Sequence, residues 1–337
     1  MRNFTIIFRS TNSCNLNCKY CYDKNNHTNL IKENEEFTSK IPNIIKYIKK
    51  LWPNTNASSE IIFHGGEPLI INYQNYDALL GQIKKLYPKA RFSIQTNATL
   101  LNKNITAILK KYNVHVGISL DGYDEITNKF RVYKNNKNSF TDVLSKIDLL
   151  KKENINFGII MTLTNQILNK EDELYEFLRN NKLNCNIRPA FKCNNSMDIS
   201  FMTNESYFKF FKKLFNIWIE DTSDDNVRLT QIKEIYDEFV KCLDSSYSNK
   251  SCATSGKCAL NFISLDSDGN LYSCNRTYNN KEFFYGNIND IDIAILLEKI
   301  KKIVDYRNEQ IKSGKCGTCE IYSECMGRLS SQCLYIA

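Results

Sequence analysis

The sequence predicts an α/β fold, in which short buried strands alternate with longer amphipathic helices and a small cysteine-rich segment with a β-hairpin and helices follows. Three observations carry this. Short β-branched apolar runs alternate with helix-like stretches from the start to about residue 190. The chemically unusual residues fall just after those apolar runs, and past residue 200 the alternation stops while cysteines accumulate.

The strands, in order, are "FTIIF" (4–8), "EIIFH" (60–64), "RFSIQ" (91–95), "VHVGISL" (114–120) and "INFGIIMTL" (155–163), with "CNIRP" (185–189) a weaker sixth. Their brevity and β-branching suit strands covered on both faces. Helix-like stretches at 37–50, 74–87, 102–112, 139–152 and 170–182 lie between them. That alternation calls for a parallel sheet, open or closed into a barrel, with working residues where strands end. The cysteine cluster follows the first strand, "HGGEP" (64–68) the second, "QTN" (95–97) the third and "SLDG" (119–122) the fourth. Beyond 200, two helical segments (204–221 and 228–243) lead to a hairpin, "FISLDSDGNLYSC" (262–274), with Asp268-Gly269 as its turn. The expected organisation is a parallel α/β domain over 1–200, a helical linker over 201–245 and a cysteine-rich domain over 246–337.

The 337 residues are 42% hydrophobic and 24% charged, ordinary for a folded chain, apart from thirteen cysteines. The net charge of +8 comes from lysines scattered along helix-like segments, which reads as solvated helix faces and not a nucleic-acid groove. It supports only a mild attraction to an acidic partner. The N-terminal apolar run is too short for a signal peptide, and no stretch approaches the roughly 20 apolar residues that span a bilayer. The chain therefore reads as cytoplasmic, where clustered thiols point to metal more than to disulfides.

In "TNSCNLNCKYCYD", Cys14, Cys18 and Cys21 form C-x3-C-x2-C. Cubane iron–sulfur clusters take four ligands, so three local thiols leave one iron open, as catalytic metal sites require. A zinc site completed by a remote ligand is the alternative, although structural zinc favours paired C-x2-C knuckles. "CNLNCKYC", including Tyr20 before the third cysteine, resembles the signature of the radical S-adenosylmethionine (SAM) enzymes, and "GGEP", "QTN", "SLDG" and a downstream arginine extend the resemblance over residues 5–190.

The resemblance implies a partial (β/α)6 TIM-like barrel and a [4Fe–4S] cluster on Cys14, Cys18 and Cys21. It also implies that SAM chelates the fourth iron and is cleaved reductively to a 5′-deoxyadenosyl radical that abstracts hydrogen from substrate. Gly65, Gly66, Glu67 and Pro68 match the turn that holds the methionyl amino group, and Gln95, Thr96 and Asn97 match a strand end near the SAM pocket. Ser119 and Asp121 match a segment often beside the ribose, and Arg131 resembles an arginine used against the SAM carboxylate. His64 reads as a strand-end packing residue.

The tail carries Cys252, Cys258, Cys274, Cys316, Cys319, Cys325 and Cys333. Alone, this spacing leaves zinc open; together with the front half it resembles the SPASM domain, which holds auxiliary [4Fe–4S] clusters. Leu329 stands where that pattern places a cysteine, and the pattern's last cysteine does not appear before Ala337. One cluster is expected around Cys252, Cys258 and Cys274 and another around Cys316, Cys319 and Cys325, with Cys333 completing one and the other left with an open iron or a different ligand. Cys185, Cys193 and Cys242 read as packing residues, with Cys193 also a candidate hydrogen-atom donor to a substrate radical.

The resemblance points to a maturase of ribosomally made peptides that forms thioethers or carbon–carbon cross-links, or inverts stereocentres. A reduced flavodoxin or ferredoxin would be the electron donor. Because the chain opens on its first strand, a separate leader-peptide-binding protein is a candidate partner. Anaerobic sulfatase maturation, which converts cysteine or serine to formylglycine, ranks second. Those enzymes usually carry an aspartate after the hairpin cysteine as a base, whereas Asn275 follows Cys274 here. A zinc or iron–sulfur binding protein without catalysis is the remaining alternative.

Overall fold

The computed structural model describes residues 3–23, 30–190, 201–222, 229, 260–278 and 280–318. The strands are β1 (Thr5–Thr11), β2 (Glu60–Gly65), β3 (Arg91–Thr96), β4 (His115–Ser119), β5 (Phe157–Leu163), β6 (Cys185–Pro189), β7 (Phe262–Asp266), β8 (Asn270–Tyr272) and β9 (Phe284–Asn287). The helices are α1 (Leu30–Leu51), α2 (Tyr73–Leu86), α3 (Lys103–Lys111), α4 (Phe140–Lys152), α5 (Glu171–Asn180), α6 (Asn204–Glu220) and α7 (Ile293–Ser313). They fall into two compact units, one of Met1–Asn12, Thr28–Ser93 and Val240–Ala337 and one of Ser13–His27 and Ile94–Phe239.

In the first unit β1 is central. It pairs in parallel with β2, Phe8 opposite Phe63, and on its other edge with β7, Phe8 opposite Leu265. The hairpin therefore extends the β1 sheet: β7 pairs antiparallel with β8, and β8 with β9. Alternation puts Ile6, Phe8, Ile61 and Phe63 in the core, each burial stabilising by about 1.5–3 kcal/mol. The Phe63 ring meets Phe8 and Tyr76 edge-on at 6.0 and 5.2 Å. Trp52 after α1 is buried and donates its indole N–H to the Phe4 carbonyl at 2.7 Å, as a buried indole requires.

In the second unit β4 pairs in parallel with β5, Ile118 opposite Ile159, and β5 with β6, Met161 opposite Ile187. Leu174 and Leu178 of α5, with Val143 and Leu150 of α4, are fully buried, so these helices are amphipathic covers of the kind that parallel strands need. Glu171, Asp172 and Glu173 crowd the first turn of α5, where negative charge suits the helix dipole.

The six expected strands are all present, including the weak sixth, and their pairings within each unit are parallel. Three differences stand out. Helix α1 begins at Leu30 instead of 37, because its first turns are polar and largely solvent-facing, with no apolar period to mark them. Strand β9 lies where no strand was expected, and helix α7 supplies a helix of the cysteine-rich segment whose bounds the sequence did not mark. Of the two helices expected in the 201–245 linker, the one over 204–221 is α6, and the one over 228–243 falls outside the described residues apart from position 229.

Candidate active site

The thiol loop of the second unit is a strand-like segment laid on residues 130–133. Leu16 bridges Tyr133, Asn17 N donates to the Val132 carbonyl at 2.7 Å, and Lys19 N donates to the Phe130 carbonyl at 2.9 Å. Each sulfur meets a donor. Leu16 N reaches Cys14 Sγ at 3.4 Å, Asp23 N reaches Cys21 Sγ at 3.4 Å, and Arg131 Nη1 reaches Cys18 Sγ at 3.7 Å. Such N–H···S contacts stabilise thiolates and tune bound metal. Burial, and then the neighbouring Cys18, pushes the Cys21 thiol up to about 12, so a metal must displace its proton on binding. Among the described residues no three His, Cys, Asp or Glu side chains gather for a single ion. The three donors are all thiols, the ligand chemistry of a cubane iron–sulfur cluster, which asks one thiolate per iron.

Beside the loop sits a buried charged cluster. Arg131 Nε donates to Asp121 Oδ2 at 3.1 Å and Nη2 to Asp121 Oδ1 at 3.3 Å, with side-chain exposures of 9% and 4%. Arg131 Nη2 also donates to the Tyr20 hydroxyl at 2.7 Å, and that hydroxyl donates to Asp121 Oδ2. The backbone N–H of Thr162 on β5 completes the shell around Asp121 at 3.0 Å. Burial, the largest single influence, would lower the Arg131 pKa, but Asp121, Tyr20 and Cys18 together outweigh it and the net shift is upward, so the guanidinium stays charged. Burial likewise drives the Tyr20 hydroxyl well above its ordinary range, so it is a donor and not a phenolate. Arg131 and Asp121 thus hold each other and Tyr20, the aromatic residue of the cysteine motif.

The remaining second-unit positions form a polar frame. Gln95 Nε2 donates to Ser119 Oγ at 3.0 Å across β3 and β4, and Gly117 makes room for it, because a Cβ there would stand 2.2 Å from Gln95 Oε1. The Thr96 hydroxyl accepts from Ala98 N at 2.9 Å. Asn97 ties β3 to the thiol loop, donating to Asn15 Oδ1 at 2.9 Å and reaching Cys14 Sγ at 3.9 Å.

The "GGEP" turn lies in the first unit, where β2 ends against β1. Gly65 has φ +124, and a Cβ on it would stand 2.2 Å from the Thr11 carbonyl, so glycine is required. Gly66 N donates to that carbonyl at 3.0 Å. Glu67 is buried and its carboxylate accepts from Leu69 N at 2.9 Å, while the Pro68 carbonyl accepts from the Tyr76 hydroxyl at 2.9 Å.

His64 differs from the packing role expected of it: it belongs to a polar network. Arg9, 1% exposed in the middle of β1, donates from Nη1 to Asn275 Oδ1 at 2.7 Å and from Nε and Nη2 to Asn12 Oδ1 at 3.2 and 2.9 Å. Its guanidinium lies 3.7 Å over the Tyr278 ring, and Asn12 Nδ2 reaches the Tyr278 hydroxyl at 3.2 Å. Asn275 Nδ2 lies 3.0 Å from His64 Nδ1, which also accepts from Gly65 N at 2.9 Å. Arg9, Asn12 and Tyr278 were not singled out from the sequence. An arginine inside the apolar run "TIIFRST" was the signal that could have found the network.

Cys193, Cys252, Cys258, Cys319, Cys325 and Cys333, with the side chain of Cys316, lie outside the described residues. Cys274 is described, at the end of the hairpin where Cys274 N donates to Thr277 Oγ1 at 3.2 Å. No helix among the described residues is long and apolar enough to cross a membrane.

A radical SAM superfamily profile matches residues 8–178, half of the chain, from β1 through α5. The chain belongs to the radical SAM superfamily. It is therefore an enzyme, and membership implies SAM and a [4Fe–4S] cluster as cofactors. A cysteine-type anaerobic sulfatase-maturating enzyme of Clostridium novyi (strain NT) is 28% identical over 341 residues, spanning 96% of this chain and 87% of its own. The radical SAM cyclopropyl synthase TigE of Paramaledivibacter caminithermalis is 25% identical, over 94% of this chain and 66% of its own. The solved structure of anSMEcpe with bound AdoMet and Cp18Cys peptide superposes with a TM-score of 0.76 at 23% identity, over 97% of this chain and 88% of that one. The fold is thus that of radical SAM enzymes with a TIM-like core.

Proposed function

We propose that this radical SAM enzyme oxidises a cysteine or serine side chain within a peptide or protein, a reaction of the sulfatase-maturating type. The observation that carries the reading is the similarity to a cysteine-type maturase along nearly the full length of both chains. It moves sulfatase maturation, ranked second from the sequence, ahead of peptide cross-linking. In this reading Cys14, Cys18 and Cys21 hold the cluster, and the main-chain groups of Gly65, Gly66 and Glu67 bind the methionyl end of SAM. Gln95, Thr96, Asn97 and Ser119 shape the nucleoside side, while Arg131, Asp121 and Tyr20 fix the thiol loop and bias Cys18 by charge. When bound, the cluster and SAM supply the radical that removes a substrate hydrogen. The tail cysteines, in a SPASM-like domain over 246–337, would hold auxiliary clusters, and a flavodoxin or ferredoxin would supply electrons.

The test is anaerobic reconstitution with iron counting, SAM, reductant and a peptide spanning the modified cysteine of a sulfatase. Deoxyadenosine together with a peptide aldehyde is the expected result; deoxyadenosine with an unchanged peptide would reject the maturation reading while leaving the family intact. One observation favours a second reading, a cross-linking or epimerising peptide maturase: Asn275 cannot take a proton, and its amide is committed to Arg9 and His64. A thioether, carbon–carbon bond or inverted centre in a peptide encoded beside this gene would establish it.

A further inference from the structure

The thiol loop and the strip it lies on, residues 129–138, belong to one unit and present one sign of charge. The strip reads "KFRVYKNNKN" and holds no acidic residue, while the loop sets Lys19 against Asp23. Arg131 is buried against Asp121, so the surface charge of the strip is that of Lys129, Lys134 and Lys137, all exposed. Main-chain pairing keeps these lysines beside the thiols. Lys19 N donates to the Phe130 carbonyl at 2.9 Å, next to Lys129, and Leu16 bridges Tyr133, next to Lys134. Tyr133 N donates to the Lys137 carbonyl at 2.9 Å, and Lys19 Nζ donates to Asn136 Oδ1 at 2.8 Å, which folds the end of the strip back onto the loop.

Nearby carboxylates cancel little of this charge. Among the described residues Lys129 and Lys134 form no ion pair, and Lys137 meets Asp142 at 3.6 Å, an exposed contact of small worth. Asp142 also accepts from the Tyr133 hydroxyl at 2.8 Å, and Glu125 accepts from the Thr141 hydroxyl at 3.4 Å. Helix α6 of the same unit differs: Lys209 is matched by Glu205, and Lys213 by Glu171 and Asp172. The uncompensated lysines therefore collect where the thiols are.

We propose that Lys129, Lys134 and Lys137, with Lys19, form the docking surface for an acidic one-electron carrier protein. Reductive cleavage of SAM at these thiols consumes one electron from outside the chain, and electron transfer falls off steeply with distance, so the carrier has to dock beside the loop. Opposite charge is what steers such an encounter. With a flavodoxin as carrier, the anionic flavin hydroquinone loses one electron and becomes the neutral semiquinone, the cluster gains that electron, and no proton moves. The proposal rests on the thiol loop holding a reducible cluster and not on the sulfatase-type reading.

The test mixes reconstituted full-length protein anaerobically with an acidic flavodoxin in its hydroquinone form and follows semiquinone formation by stopped flow. Combining Lys129→Glu, Lys134→Glu and Lys137→Glu is expected to lower the second-order rate constant about tenfold or more at about 0.01 M salt, with the gap closing at about 1 M. Changing the same lysines to glutamine should give a smaller loss, about threefold. The control reverses Lys46, Lys85 and Lys89, exposed lysines of the other unit, and should stay within about twofold of the parent. Dithionite needs no docking, so with it every variant should form deoxyadenosine at the parent's rate. A parent inactive with dithionite removes the cluster from the thiol loop, and the proposal with it. A parent active with dithionite, beside a triple glutamate variant that flavodoxin reduces as fast as the parent, overturns the docking surface alone. A control variant that loses as much as the strip variant also overturns it, because net charge and not position would then set the rate.

Discussion

Arg131 in the second unit and Arg9 in the first are both buried, yet their surroundings differ in kind. Arg131 is matched by the Asp121 carboxylate and a tyrosine hydroxyl, within reach of a candidate cluster thiol. Arg9 rests on two asparagine oxygens and the face of Tyr278. The first arrangement is a charge pair that stiffens the thiol loop, and each partner would be stranded without the other. The second uses a permanent charge to orient neutral amides, which pass that orientation on to a histidine. One arginine anchors the thiol loop; the other sets the direction of hydrogen bonds.

The largest expected effect lies at the thiol loop. Changing Cys14, Cys18 or Cys21 to alanine should abolish deoxyadenosine formation and lower the iron content of reconstituted protein. An iron-replete variant that still cleaves SAM would end the assignment of the loop as the cluster site. Next comes Arg131→Met, which leaves Asp121 charged and buried; it should cost about 3–5 kcal/mol in urea unfolding. Arg9→Met leaves the neutral amide oxygens of Asn12 and Asn275 without this donor and should cost less, about 1–3 kcal/mol. If the two arginine variants proved equally destabilising, the contrast between charge pair and amide frame would break. The smallest effect belongs to Tyr20→Phe. It removes one hydroxyl from the Arg131–Asp121 pair, and the same measurement should show a loss of about 0.5–1.5 kcal/mol.

Much of the fold was legible because parallel strands buried on both faces leave uninterrupted apolar runs, and six of them marked β1 to β6. Strand β9, with "FYGN", is too short and too mixed to show a period. Helix α7 carries a strong apolar stripe, but the cysteines around it drew the reading towards metal. The thiol triplet and the glycine turn were visible because their chemistry needs residues close in sequence. His64 was misread because its partner Asn275 lies 211 positions away.

The sequence by itself determined the order of elements and the three-thiol loop, since each depends on local periodicity or on neighbours a few residues apart. Only the tertiary structure decided that Asp121 takes up Arg131 and Tyr20, and that Arg9 reaches Asn275 across 266 positions. The physical reason is that a hydrogen bond acts over about 3 Å in space, whatever the separation along the chain. Strand pairing sets those distances, so the contacts among Arg9, Asn275 and His64 are a property of the fold.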